Sequence, residues 1–252
     1  MPVHLGAAYK SPCQRARVIS EAWGVDNLYC PRCDSPQLSK SGVNARVFDF
    51  ICPTCTAEFQ LKSQSHAFSR RITDSAYEVM RRAIEENKTP HFFALQYDAL
   101  SWTVRNLTLI PSFALTLSCL EKRRPLAATA RRAGWVGCNI LLSNIPLDAR
   151  IAVVSSGEPA NRESVRRRYR RLQPLERAGH DKRGWTLDVL NLVRSLEKQE
   201  FSLHDVYRRS DELRRLHPDN LHVPEKIRQQ LQRLRDMGLV QFLGCGAYRL
   251  SS

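Results

Sequence analysis

Apolar residues recur at helical spacing over residues 8–23, where Ala8, Cys13, Ala16, Val18, Ile19, Ala22 and Trp23 share one broad face and Lys10, Arg15 and Arg17 lie off it. Glu21 lies near the end of this predicted helix, either reaching towards a metal centre or standing on a solvated face. The period then changes to two. Residues 46–51 and 57–63 alternate as strands, with Phe59 and Leu61 pointing one way and Glu58, Gln60 and Lys62 the other. A second amphipathic helix is predicted over 74–86, capped by Thr73 or Asp74. Apolar strands follow at 91–97 and at 102–110, the latter stopped by Pro111. Residues 111–124 carry little pattern. Two further strands are expected at 136–142 and 150–155, then a very basic helix at 162–177. Five or six strands flanked by helices make a mixed α/β domain.

From residue 179 the texture changes. Apolar periodicity predicts helices at 185–198 and 203–216, the second capped by Ser202, and a third opened by Pro224 and ended by Gly238. A short hairpin over 239–250, turning at Gly244-Cys-Gly246, completes the segment. Three helices and a two-stranded wing predict an α+β winged-helix domain. Its third helix offers Lys226, Arg228, Gln229, Gln232 and Arg233 to a DNA groove. A helical dimerisation module would show the same pattern without touching DNA. The expected division is therefore 1–178 and 179–252.

Charge adds a partner. The formal net charge is +14, which fits a protein that meets a polyanion. Residues 1–178 hold 26 Lys and Arg against 15 Asp and Glu, and the remainder 13 against 10, so the first part is expected to hold the backbone groove. No apolar run approaches the ~20 residues of a membrane helix. The N-terminus does not read as a signal peptide, and a reducing bacterial cytoplasm is the expected compartment.

Four of the eight cysteines form two Cys-x-x-Cys pairs, Cys30/Cys33 and Cys52/Cys55, with eighteen residues between them. This is the spacing of a four-thiolate zinc site, in which each tight turn presents two sulfurs and no position stays open for water. The expected zinc is structural. The second pair interrupts a different signal: Asp49 before it and Gln60-x-Lys62 after it. An acid followed by x-Q-x-K on the next strand is how a metal-dependent nuclease of the PD-(D/E)xK class arranges its site.

Several stretches together resemble the DpnI-like, methyl-directed type II restriction endonucleases. They are Y-C-P-x-C at 29–33, D-F-x-C-x-x-C at 49–55, E-F-x-L-K-S at 58–63, R-R-P-L-A-A-T-A-R-R-A-G-W-V-G-C-N-I at 123–140, R-G-W-T at 183–186 and E-K-I-R-Q-Q-L-Q at 225–232. They span nearly the whole chain in order. The resemblance implies a PD-(D/E)xK restriction-endonuclease-like domain with a zinc knuckle, then a winged helix, both contacting methylated double-stranded DNA. It implies Asp49, the residue at 60 and Lys62 as catalytic, with Mg²⁺ (or Mn²⁺) held by Asp49, position 60 and the Leu61 carbonyl. It also implies cleavage at adenine-methylated sites, GATC with 6-methyladenine.

Position 60 departs from the pattern, because family members of this kind carry Glu there and this chain carries Gln60. A carboxylate brings charge to a hard cation, whereas an amide brings only a dipole. Three readings follow: Gln60 is a neutral ligand, Glu58 supplies the charge from the same strand face, or the protein binds DNA and cuts poorly. For the methyl group, Trp135 between Gly134 and Gly137, beside Arg131 and Arg132, is either an aromatic wall or a core residue. Trp185 reads as winged-helix core. Arg124, Arg131, Arg132 and Arg166–168 are expected on phosphates. A monomer in solution is expected, without membrane partners. The rival functions are a non-cleaving reader of methylated DNA and, less in keeping with the winged helix, an RNA nuclease.

Overall fold

The computed structural model describes residues 1–42, 48–68 and 70–251 of the 252. In chain order its elements are α1 (Pro12–Asn27), β1 (Ser39–Lys40), β2 (Phe50–Ile51), β3 (Glu58–Gln64), β4 (Arg71–Ala76), α2 (Tyr77–Glu85), β5 (His91–Tyr97), β6 (Val104–Ile110), β7 (Leu120–Lys122), β8 (Gly137–Leu141), β9 (Ile151–Ser155), β10 (Glu158–Pro159), α3 (Arg162–Leu172), α4 (His180–Arg194), β11 (Glu200–Ser202), α5 (Leu203–Tyr207), α6 (Ser210–Leu216), α7 (Val223–Asp236), β12 (Val240–Gly244) and β13 (Ala247–Leu250). They gather into two compact units. The first holds Met1–Ile72, Thr89–Ser112 and Ala149–Arg170, and the second Thr73–Lys88, Phe113–Asp148 and Arg171–Ser252.

The first unit is a seven-stranded sheet in the order β1-β2-β3-β5-β6-β9-β10. Only β3 and β5 run parallel; the other neighbours are antiparallel. β5 has the sequence H-F-F-A-L-Q-Y and is buried at every position but Gln96, as befits a central strand covered on both faces. Phe59 stacks on Phe93 at 5.5 Å, and Leu107, Leu109 and Ile151 extend the core. Pro12 opens α1, four residues later than the apolar periodicity suggests, because Pro suits the first helical turn. Gly24 brings α1 close to β2: a Cβ there would lie 2.6 Å from Phe50 Cζ. His91 ties β5 to its surroundings, its Nδ1 accepting from the Ser112 amide at 2.9 Å and its Nε2 lying 3.3 Å from the Tyr169 hydroxyl. Burial pushes its pKa down to about 3, so the ring is neutral.

Of the predicted strand at 46–51, Arg46 and Val47 lie outside the described residues, and of the described part only Phe50–Ile51 is strand, β2. The predicted helix at 74–86 is shorter. Arg71–Ala76 is a strand, and α2 begins at Tyr77 with no side-chain cap. Tertiary pairing overrides helical periodicity here. β4 joins a small sheet in the order β4-β8-β7, where Thr73 Oγ1 meets Asn139 Oδ1 and the Tyr77 amide donates to the Val136 carbonyl. The basic helix α3 ends at Leu172 rather than 177, before Pro174.

In the C-terminal segment, α4, α5, α6 and α7 accompany the three-stranded sheet β11-β13-β12, with β11 between α4 and α5 and the β12–β13 hairpin last, giving the α+β arrangement of a winged helix. Ser202 caps α5 reciprocally: its Oγ accepts from the Asp205 amide at 3.1 Å, and Asp205 Oδ2 accepts from the Ser202 amide at 2.8 Å. The predicted helix 203–216 is broken at Arg208 and Arg209. The wing turns through Gly244, Cys245 and Gly246, all at positive φ. Trp185 is buried and stacks on His217 at 3.9 Å.

Candidate functional site

Knuckle geometry follows from two tight turns. The sulfurs of Cys30, Cys33, Cys52 and Cys55 all lie within 4.8 Å of one another, with Cys30 to Cys55 at 3.6 Å and Cys33 to Cys52 at 3.5 Å. Four thiolates at ~2.3 Å from one zinc would stand ~3.8 Å apart along the edges of a tetrahedron. The donor set and its spacing therefore fit a structural zinc. Among the described residues this is the one cluster of His, Cys, Asp or Glu built for a metal.

α3 holds the knuckle in place. Arg166 is only 8% exposed and donates to the carbonyls of Cys30 (3.3 Å) and Ser35 (3.4 Å), with Glu163 at 3.1 Å. Arg170 reaches Asp34 at 3.3 Å. The guanidinium groups of Arg162 and Arg166 lie 4.7 and 5.6 Å from the Tyr29 ring. Arg166, expected on a phosphate, is thus turned inwards because its charge is matched by buried carbonyls, while Arg167 and Arg168 are exposed.

The knuckle joins β2 to β3, and the antiparallel pairing of these strands sets the second group of residues. Phe50 lies opposite Phe59 and Ile51 opposite Glu58. Asp49, the residue before Phe50, meets the stretch from Phe59 to Leu61. Asp49 is fixed there: its amide donates to the Phe59 carbonyl at 2.9 Å, and its Oδ2 accepts from the Leu61 amide at 2.8 Å. Lys62 stands two residues beyond Gln60, its Nζ 6.0 Å from the Phe92 ring. Glu58 lies two residues the other way, beside the knuckle, and burial raises its pKa.

Burial also raises the pKa of Asp49. The Leu61 amide opposes this, Glu21 reinforces it, and Arg17 and Lys62 oppose it as positive charges. Glu21 was the ambiguous residue of α1, and the structure removes it from solvent: 8% of its side chain is exposed. Its carboxylate pairs with Arg17 and, at 3.1 Å, with Lys40, while Arg17 also lies 3.9 Å from Asp49 Oδ1. The available sign in the sequence was the small residues Ser20 and Gly24 beside it, which allow α1 to lie close to the sheet.

The residues expected to read DNA all lie in the second unit. Arg131 and Arg132 are exposed and Trp135 is half-buried. The Arg132 guanidinium sits 4.6 Å from the centre of the Trp135 ring, and Gly137 leaves room for the ring's other edge, since a Cβ would stand 2.7 Å from it. On α7, Arg228, Gln229 and Gln232 are exposed, Lys226 is half-buried with its Nζ 6.0 Å from the Trp185 ring, and Val223, Ile227, Leu231 and Leu234 face inwards. Gln230, which the apolar pattern did not mark, is buried and accepts from Thr186 Oγ1 at 2.8 Å. No helix among the described residues is long and apolar enough to cross a membrane.

Two family models match. That of DpnI, the Dam-replacing family, covers residues 1–178, and that of the DpnI C-terminal, Dam-replacing HTH domain covers residues 181–250. With the knuckle, the mixed α/β sheet and the winged helix in the same order, the chain belongs to the DpnI Dam-replacing family.

Proposed function

We propose that this protein is a methyl-directed type II restriction endonuclease that hydrolyses double-stranded DNA at sites carrying 6-methyladenine, GATC being the expected sequence. The observation that carries the reading is the Asp49 carboxylate accepting from the Leu61 amide of β3, between Gln60 and Lys62 in sequence, in a chain of this family. Asp49, the Gln60 side-chain oxygen and the Leu61 carbonyl would hold Mg²⁺, or Mn²⁺ in its place. Bound there, the ion would neutralise phosphate charge and acidify a water. Lys62 would orient the attacking water and stabilise charge on the phosphorane-like transition state. The four cysteines would hold a structural zinc that fixes the loop between Asp49 and Gln60.

Arg131, Arg132 and Trp135 would read the site from one segment, and Lys226, Arg228, Gln229 and Gln232 from α7. Trp135 would offer an apolar wall to the methyl group in the major groove. The division into a catalytic domain at 1–178 and a DNA-reading domain at 179–252 is supported by the limits of the two family matches. We take the protein to act as a monomer in a bacterial cytoplasm. Asp49→Asn and Lys62→Ala should each abolish Mg²⁺-dependent cleavage while binding to methylated duplex persists; full cleavage by either variant would remove these residues from the chemistry. Gln60 favours the second reading, a non-cleaving reader, which requires selective binding without cleavage by the unaltered protein.

A further inference from the structure

The two elements expected to read DNA, the hairpin that carries Trp135 and the helix α7, lie far apart in sequence and are joined through one buried side chain. Asp188 lies on α4, and 2% of its side chain is exposed. Its Oδ1 accepts from the Ser118 hydroxyl at 2.6 Å, and the His217 ring donates to its Oδ2 from Nε2 at 2.8 Å. A buried carboxylate is costly unless its oxygens are matched. Here each oxygen is matched by a different segment of the chain, 70 and 29 residues away. Both segments lead directly to a reading element. Ser118 stands two residues before β7, whose pairing with β8 continues as the Arg123 amide donates to the Gly137 carbonyl and the Leu126 amide to that of Trp135. His217 follows α6 and stacks on Trp185. Its carbonyl accepts from the Asn220 amide, and the Asn220 side chain accepts from the amide of His222, the residue before α7. α4 fastens the same two parties along its length, with Thr186 Oγ1 donating to Gln230 of α7 and Asn191 Nδ2 to the Ser143 carbonyl beyond β8.

We propose that Asp188 is a positioning residue for DNA reading: it holds the Trp135 hairpin and α7 in one fixed relation, so that both meet the duplex as a single surface. This rests on the reading of those two elements as DNA contacts. Contacts carried on one rigid body are presented together, whereas contacts on a loose one must each be ordered on binding. Freeing either side of Asp188 therefore weakens the contribution of the element on the other side as well.

The test is a pair of crossed double-mutant cycles, read as the affinity of the zinc-loaded full chain for a 6-methyladenine duplex without Mg²⁺, with melting temperatures measured alongside. Ser118→Ala frees the hairpin side and is crossed with Gln232→Ala on α7. His217→Phe keeps the stacking on Trp185 but frees the α7 side, and is crossed with Trp135→Ala. Each freeing variant should weaken binding by about threefold or more, and the Gln232→Ala and Trp135→Ala losses should shrink by a similar factor in those backgrounds. Ser118→Thr, which keeps the hydroxyl, should bind as the wild type does. A local fault in the hairpin would couple Ser118 to Trp135 but not to Gln232, so the crossed pairs separate positioning from packing. Losses that simply multiply in either cycle overturn the proposal and leave the DNA contacts intact. Trp135→Ala and Gln232→Ala that each leave the affinity unchanged overturn both.

Discussion

Replacing Arg166 by Ala separates the arginines of α3 that support the protein from those that face outwards. Arg166 is 8% exposed and reaches the Cys30 and Ser35 carbonyls at 3.3 and 3.4 Å, both longer than the ~2.9–3.0 Å optimum. A hydrogen bond from a charged donor contributes about 1.5–3 kcal/mol, and the long distances place these two at the lower end. Its contact with the exposed Glu163 adds little. The expected loss is about 3 kcal/mol, which for a chain of this size lowers Tm by about 6–12 °C. Thermal unfolding of the zinc-loaded protein reads this directly, and zinc release to a chelator should quicken. Arg167→Ala and Arg168→Ala are the controls. Their side chains are exposed, so Tm should hold within about 2 °C, as for ordinary surface changes. Each should reduce the salt slope of DNA binding by about one if it contacts a phosphate. An Arg166→Ala protein with unaltered Tm and a reduced salt slope would refute the structural role argued for this residue.

Other outcomes follow from the same geometry. Chelation of zinc, or Cys52→Ser, should loosen the loop between Asp49 and Gln60 and expose it to proteases, with zinc content and proteolysis as the readings. Gly24→Ala should cost about 1–3 kcal/mol by driving a Cβ into the Phe50 ring, with Phe50→Leu recovering part of the Tm. His91 has a folded pKa of about 3, below its ordinary value, so the unfolded chain binds the extra proton. Its contribution is complete above pH ~6.5 and is lost, by up to ~1.4 kcal/mol per pH unit, as pH falls from there towards 3. Denaturant melts of wild type and His91→Gln across that window should converge at low pH. Trp135→Ala should reduce the preference for methylated over unmethylated duplex by about tenfold, within the ~1–3 kcal/mol that one methyl contact can carry.

Short-range chemistry was the legible part of the sequence. Cysteine spacing gave the knuckle, Ser202 the cap of α5, and apolar periodicity α7 with its inward face. Long-range pairing was not legible. Residues 74–76 read as the start of a helix, yet Arg71–Ala76 is a strand beside β8, and no local rule announces that partner. β11 is three residues long, too short for a period to register, and is recognised only by its partner β13. Glu21 and Arg166 show the same limit at the site. Each has the side chain of a surface residue, and each is buried because a distant group, Lys40 for one and the Cys30 carbonyl for the other, matches its charge.

The most direct test of the central claim is to incubate the purified protein with Mg²⁺ and two preparations of one plasmid, adenine-methylated and unmethylated. A methyl-directed endonuclease cuts only the methylated plasmid, at discrete sites, and EDTA stops it. Selective binding of the methylated plasmid with neither preparation cut would contradict cleavage and leave a reader of methylated DNA. Equal cutting of both would contradict the methyl reading assigned to Trp135 and α7.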